Sequence, residues 1–233
     1  MCYPCVAVFF IYWRISYRVG GALTQEARQS TSDWKQACTH LRRADPVLCK
    51  IIDAHSGAML EPRHDAFFSL ARSIVGQQIS VKAAASVWGR FEAEVQEVTP
   101  HAVAGKESDT LRACGLSNAK ARYILSLAEH FIDGSLRLSS WPEMDDEAVI
   151  DDLTQVKGIG RWTAEMFLIF HLLRPDVLPL GDLGLQRAIG DHYLAGERPT
   201  NDQMLEVAAR WRPWRSIATW YLWRSLDAVP VNY

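Results

Sequence analysis

A chain of 233 residues with 48% hydrophobic content is long enough to bury a sizeable core, which excludes a disordered or fibrous protein. A formal charge of −2 and an isoelectric point near 6.4 exclude a basic field over the whole surface, so a polyanion can only be met by a local face. Five cysteines, an odd number at scattered positions, are too few for a disulfide scaffold.

At the N-terminus Cys2 and Cys5 form a C-x-x-C with no second pair at metal-ligand spacing, which reads as two thiols in a tail. The apolar run from Val6 to Trp13 is followed by Arg14 and Arg18, but a bilayer span takes about 20 apolar residues. No convincing small-residue cleavage site follows it. Residues 1–30 are therefore expected to be a disordered extension, residues 31–233 to form one helical body, and the protein to be a soluble monomer without a membrane partner.

From Asp33 onward the apolar residues recur with the helical period and no segment alternates with period two, which predicts an all-α fold. Asp45 followed by Pro46 reads as a cap and first helical residue, with Val47, Leu48, Ile51 and Ile52 along one face. Phe67, Leu70, Ala71, Ile74 and Val75 mark a second helix. After the interruption Gly76-Gln77-Gln78-Ile79, Ser80 is placed to cap a third, with the face Val81, Ala84, Ala85, Trp88 and Phe91. Further helices are expected around Ile124, Leu127, Ala128 and Phe131, and around Val149, Ile150 and Leu153. Asp202 to Trp211 is expected to be helical up to the break at Pro213, with a last helix from about Trp214 to Ser225.

The sharpest local signal is Val156-Lys157-Gly158-Ile159-Gly160-Arg161-Trp162-Thr163-Ala164, a helix end, two glycines around one apolar residue, and a new helix. The glycines permit a positive φ or a close backbone approach, and Ile159 can plug the space between the helices. The N–H groups opening the second helix would favour a phosphate oxygen. Taken alone, a tight turn between helices can use two glycines without binding anything. Downstream, Asp182 stands between Gly181 and the apolar start of a helix, where an isolated aspartate is an ordinary N-cap.

Together these segments resemble the helix-hairpin-helix DNA glycosylase superfamily, and within it the monofunctional alkyladenine glycosylases known as DNA-3-methyladenine glycosylase II. The resemblance runs from about residue 33 to 225. It is carried by Leu70 to Ser80, Val156 to Ala164, Leu180-Gly181-Asp182-Leu183, and Trp211 to Trp220. It implies two helical lobes flanking an active-site cleft, over residues 31–233, with double-stranded DNA carrying alkylated bases as the partner. Asp182 then becomes the catalytic carboxylate, Trp162, Met166 and Trp223 line the base pocket, and Gln78 is the wedge that fills the gap left by a flipped base. Gly158, Gly160, Arg161 and Thr163 become contacts to the DNA backbone. Core packing remains open for both tryptophans, as does a role for Gln77 and Gln78 in pinning a turn.

Bifunctional relatives carry a lysine nucleophile where Trp162 stands, so the resemblance implies hydrolysis by water. No cysteine follows Cys114, which argues against the iron–sulfur cluster of some relatives, and no cofactor is expected beyond a monovalent cation that hairpin carbonyls can hold. Met166 replaces an aromatic seen in a relative, and this leaves the substrate range open. Between Val207 and Leu226 stand four arginines, four tryptophans and no acid, the local basic and aromatic face that the total charge lacks. Arg161 and Arg215 are candidates there and at the hairpin for phosphate contact or scaffold support. Lys120 and Arg122 resemble a family segment of structural role. The location follows the chromosome, cytoplasmic in a bacterium and nuclear in a eukaryote. Two other readings are a glycosylase for other damaged bases and a helix-hairpin-helix module that binds DNA without chemistry; a helical protein-interaction scaffold is a third.

Overall fold

The computed structural model describes residues 25–57, 59–60 and 65–226, and among these residues every regular element is helical. The expectation for residues 1–24 lies outside the described residues. Helix α1 (Gln25–Ala44) begins inside the stretch read as an extension, so the boundary placed at residue 30 falls within a helix. Its opening turns are polar and carry no apolar stripe, which hides them from a periodicity reading. Helix growth by one hydrogen bond per residue from a nucleated segment needs no such stripe.

The described residues fall into two compact units, one formed by 65–172 and the other by 25–60 and 173–226. In the first, α3 (Ala66–Gly76), α4 (Val81–Val95), α5 (Pro100–Ala104), α6 (Ser108–Ala113) and α7 (Asn118–Ile132) precede α8 (Asp146–Thr154) and α9 (Arg161–Phe170). Short side chains open most of them: Asp65, Ser80, Ser117 and Asp145 each accept an N–H from the first turn of their helix. The buried stripe of α4 is Ala84, Val87, Trp88, Phe91 and Val95, whereas Ala85 is exposed. Val87 takes the place expected for Ala85 because the larger side chain gains more from leaving water, about 0.8 kcal/mol per buried methylene. Helix α7 packs against α3, α5 and α6, and α9 against α8 and α3. Residues Thr163 to Phe170 of α9 are all buried, so this helix is enclosed on every side.

The second unit holds α1, α2 (Pro46–Ala54), α10 (Leu183–Tyr193), α11 (Asn201–Ala209) and α12 (Arg215–Arg224). Asp45 caps α2 as expected, its Oδ1 accepting from the Val47 and Leu48 N–H groups. Its Oδ2 accepts from the Tyr193 hydroxyl and the Trp211 indole, so one fully buried carboxylate ties the start of α2 to the ends of α10 and α11. Helix α12 packs against α1, α2 and α10, and its residues Ser216 to Trp223 are buried in succession.

Candidate functional site

The hairpin lies in the first unit, between α8 and α9. Val156 and Ile159 are buried, and Ile159 fills the turn as its position predicted. Gly158 has φ +93°, and a Cβ there would collide with the Tyr123 ring of α7, so both its conformation and its surroundings demand glycine. Gly160 is different. Its backbone is extended (φ −93°, ψ 170°), and an added Cβ would meet nothing within 4 Å. The expectation that both glycines serve the turn thus holds for Gly158 alone.

Gly160 is also the N-cap of α9 and, having no side chain, supplies no cap hydrogen bond to the first turn of Arg161, Trp162 and Thr163. The Thr163 side chain is buried, which leaves its main-chain N–H as the group available for the expected backbone role. The Arg161 guanidinium is held by two acids, with Nη1 and Nη2 on Glu147 at 2.8 and 2.5 Å and Nε on Glu165 at 3.1 Å. The hydrogen bonds to Glu147 and its charge hold the guanidinium protonation above its ordinary range against the effect of burial. As it stands, Arg161 braces α9 against the first turn of α8, and a phosphate would have to compete with both carboxylates.

The turn after α3 approaches the hairpin. Gln77 Nε2 donates to the Gly158 carbonyl at 2.9 Å, and Lys120 Nζ donates to the Val75 and Gln77 carbonyls at 2.8 and 2.6 Å. Gln77 is therefore a pin, and Lys120 a positive charge at the C-terminal end of α3, where the helix dipole favours it. Burial holds the Lys120 ammonium below its ordinary pKa. Gln78, the expected wedge, is exposed and has φ +57°, a left-handed conformation that costs a residue with a Cβ about 1–2 kcal/mol.

Asp182 lies in the second unit and is 1% exposed. It is the N-cap of α10, accepting from the Leu185 N–H at 2.6 Å, so the ordinary reading of its position is correct. The same oxygen, Oδ1, also accepts the Trp223 indole N–H at 2.8 Å. Capping and a chemical role are compatible, because the cap fixes the carboxylate at a helix N-terminus where negative charge is favoured. Trp223, 2% exposed, reaches Asp182 with its N–H, and its ring lies in the core. Met166 of α9 is 1% exposed, while Trp162 is half-buried. Leu183, next to Asp182, is 45% exposed, an apolar side chain beside a buried acid that the sequence pattern does not single out; adjacency to Asp182 is its one signal.

Arg215 is not free for phosphate. Its Nε and Nη2 donate to the two Asp176 carboxylate oxygens at 2.7 and 3.0 Å and Nη2 also donates to the Asp176 carbonyl, so scaffold support is its role. A fork this complete on a mostly buried guanidinium leaves few N–H groups for another anion. Among the described residues no group of three or more His, Cys, Asp or Glu side chains is placed to hold a metal ion. No described helix is long and apolar enough to cross a membrane.

Residues 71–213 match the family of HhH-GPD superfamily base excision DNA repair proteins. DNA-3-methyladenine glycosylase 1 of Schizosaccharomyces pombe is 33% identical over 208 residues, which take in 86% of this chain and 91% of that one. YfjP of Bacillus subtilis is 32% identical over 188 residues, 77% of this chain but 66% of its own length. The crystal structure of a DNA-3-methyladenine glycosidase from Bacillus halodurans is similar with a TM-score of 0.75 at 34% identity, over 82% of this chain and 89% of that one. Mag1 of Schizosaccharomyces pombe, in complex with abasic DNA, gives a TM-score of 0.74 at 29% identity, over 85% of this chain and 100% of that one. With more than half of its length inside the family match, this chain belongs to the HhH-GPD superfamily of base excision DNA repair proteins.

Proposed function

We propose that the protein is a monofunctional DNA glycosylase that removes alkylated bases of the 3-methyladenine and 7-methylguanine type from double-stranded DNA, acting as a monomer. The observation that carries this reading is Asp182, a buried carboxylate fixed by two N–H donors at a helix N-terminus, next to an exposed apolar side chain. The similarity to glycosylases named for 3-methyladenine supports the choice of substrate.

A carboxylate cannot reach a base inside the stack, so the nucleotide is extruded at a cost of a few kcal/mol, least where damage has weakened pairing. Gln78 fills the gap. Its strained, exposed backbone position is the kind of outlier retained where a side chain has a task outside the fold. Alkylation at N3 or N7 makes the purine cationic, and an aromatic ring such as that of the half-buried Trp162 attracts a cation by about 0.5–2 kcal/mol. Gly160 lets a phosphate approach the N–H groups that open α9, and since the fold itself leaves space for a side chain there, that approach accounts for the glycine.

As the glycosidic bond stretches, positive charge develops on the sugar, and Asp182 stabilises it. Water supplies the new bond to C1′. The bonding pair leaves with the base, which becomes neutral and needs no protonation, and the proton lost by water can pass to the carboxylate or to solvent. Trp162 has no amine, so no Schiff base forms with the sugar. The hairpin carbonyls of Leu153, Val156 and Gly158 each already accept an N–H, and no step depends on a cation held by them. The protein acts where the chromosome is, the cytoplasm of a bacterium or the nucleus of a eukaryote.

The test is release of free 3-methyladenine and 7-methylguanine from methylated duplex DNA by the wild type and by Asp182→Asn at equal DNA occupancy. Release by the wild type and its loss in the variant support the proposal. Binding by both proteins with no release by either overturns it in favour of a binding module or another lesion.

A further inference from the structure

We propose that Trp223 is a positioning residue for base excision, acting through its indole N–H on Asp182 and not through its ring face on the base. The inference rests on Asp182 being the catalytic carboxylate.

An N-cap aspartate held only by its own helix keeps freedom about its last torsion, because rotation of a carboxylate about the sp³–sp² bond is broad and weakly hindered. Here the cap bond from Leu185 and the bond from Trp223 converge on the same oxygen at 2.6 and 2.8 Å. Two donors from different helices define the plane of the group as well as its position. Trp223 is 2% exposed, so its ring is enclosed by the protein and presents little surface on which a base could stack.

The helix that carries the indole is itself held in register with the segment that carries the acid. At its first turn, Ser216 N–H donates to the Pro175 carbonyl and Val177 N–H donates to Ser216 Oγ, both at 2.9 Å, and the Arg215 fork closes on Asp176. From Arg215 to Trp223 the helix rises about 12 Å at 1.5 Å per residue. The segment from Pro175 to Asp182 is thus tied to α12 at both ends, by Ser216 and Arg215 at one and by Trp223 at the other. Sliding or turning α12 by one residue would carry the indole N–H away from Oδ1. Such a frame fits a group that must meet a short-lived charge at one place, since misplacement by about 1 Å can cost on the order of 100-fold in rate.

The proposal is tested by replacing Trp223 site-specifically with benzothienylalanine, which keeps the bicyclic ring and puts sulfur where the N–H was, alongside Trp223→Phe. Single-turnover excision of 7-methylguanine at saturating enzyme, affinity for abasic-site DNA and melting temperature are measured for each. Loss of the N–H is expected to slow excision about 10- to 100-fold in the isosteric protein, with abasic-DNA affinity within about twofold of the wild type. In an Asp182→Asn background the same replacement should make no further difference to the residual rate, as expected for two residues acting through one bond. Full-speed excision by the isosteric protein overturns the proposal, whatever Trp223→Phe does, because the ring and its faces are then sufficient. If Asp182→Asn itself excises at the wild-type rate, the catalytic reading of Asp182 fails and the positioning role falls with it. An inactive Asp182→Asn beside a fully active isostere removes the positioning role alone.

Discussion

Gln77 Nε2 lies 2.9 Å from the Gly158 carbonyl, so a single hydrogen bond joins the turn after α3 to the hairpin before α9, two segments 81 positions apart in the chain. Helix α7 supports both sides of this junction: Lys120 holds the Val75 and Gln77 carbonyls and the Tyr123 ring packs on Gly158. The element proposed to enter the DNA stack and the element proposed to hold its backbone therefore share one foundation within the first unit.

Replacing Lys120 by methionine keeps most of the side-chain bulk and removes the charged donor from two carbonyls. A lost hydrogen bond to a charged group costs about 1.5–3 kcal/mol. Urea denaturation is expected to show that loss for Lys120→Met, together with weaker abasic-DNA binding as the turn and hairpin loosen. An unchanged midpoint would mean that water satisfies both carbonyls and that Lys120 supports neither element.

The two hairpin glycines should respond in opposite ways. Gly158→Ala places a Cβ into the Tyr123 ring at φ +93° and is expected to destabilise the protein by more than about 2 kcal/mol. Gly160→Ala meets open space in extended backbone, so its thermal midpoint should stay near the wild-type value while affinity for duplex DNA falls and its salt dependence weakens. Equal DNA affinity for Gly160→Ala and the wild type would remove Gly160 from the proposed interface.

Gln78 separates stability from function. Gln78→Gly relieves the left-handed strain but loses more chain entropy on folding, and the two effects, each on the order of 1 kcal/mol, are expected to leave stability close to that of the wild type. Excision should nevertheless slow, because no side chain is left to fill the gap. Fluorescence of a 2-aminopurine placed beside the lesion reports extrusion directly, and an unaltered signal in Gln78→Gly would assign the wedge to another residue.

Acid stability should report on Asp152. Burial alone would raise the pKa of this fully buried carboxyl, but the hydrogen bonds from the Trp141 indole and from Arg137 outweigh it and hold the group below its ordinary value of 3.8. Because the folded value lies below the unfolded one, the stabilisation is fully present above about pH 4 and is lost as the pH falls toward the folded value. Asp152→Asn is expected to lose about 1–3 kcal/mol at neutral pH, where the hydrogen bonds to a buried charge are weakened and the Arg137 guanidinium left behind is solvated, and to show a shallower fall in stability below pH 4. Parallel acid-denaturation curves for the two proteins would show that Asp152 does not carry this linkage.

The local parts of the candidate site are legible in the order of the amino acids. Asp45-Pro46 and Ser80 announce helix starts that the fold contains, because a cap is written within one turn of the helix it serves. Ile159 can be placed in the turn and Asp182 at a helix N-terminus for the same reason. The polar start of α1 and the choice of Val87 over Ala85 are not legible, since the first has no apolar pattern and the second depends on which neighbours face α4. The resemblance implies a base-pocket position for Trp223, whereas the structure places its N–H on the carboxylate.

The all-helical character, the caps and the hairpin are readable from the order of residues, since each is governed by interactions among positions close together in the chain. The partners of each buried acid are instead fixed by packing. Asp45, Asp152 and Asp182 each accept an indole N–H, from Trp211, Trp141 and Trp223, and the partners lie 166, 11 and 41 positions away in the chain. Asp45 and Asp152 use both oxygens to bind elements of the core together, and one oxygen of Asp182 accepts from both Leu185 and Trp223. Which tryptophan each carboxylate holds is written in no local pattern, because the pairings are set by how elements of the fold come to rest against one another.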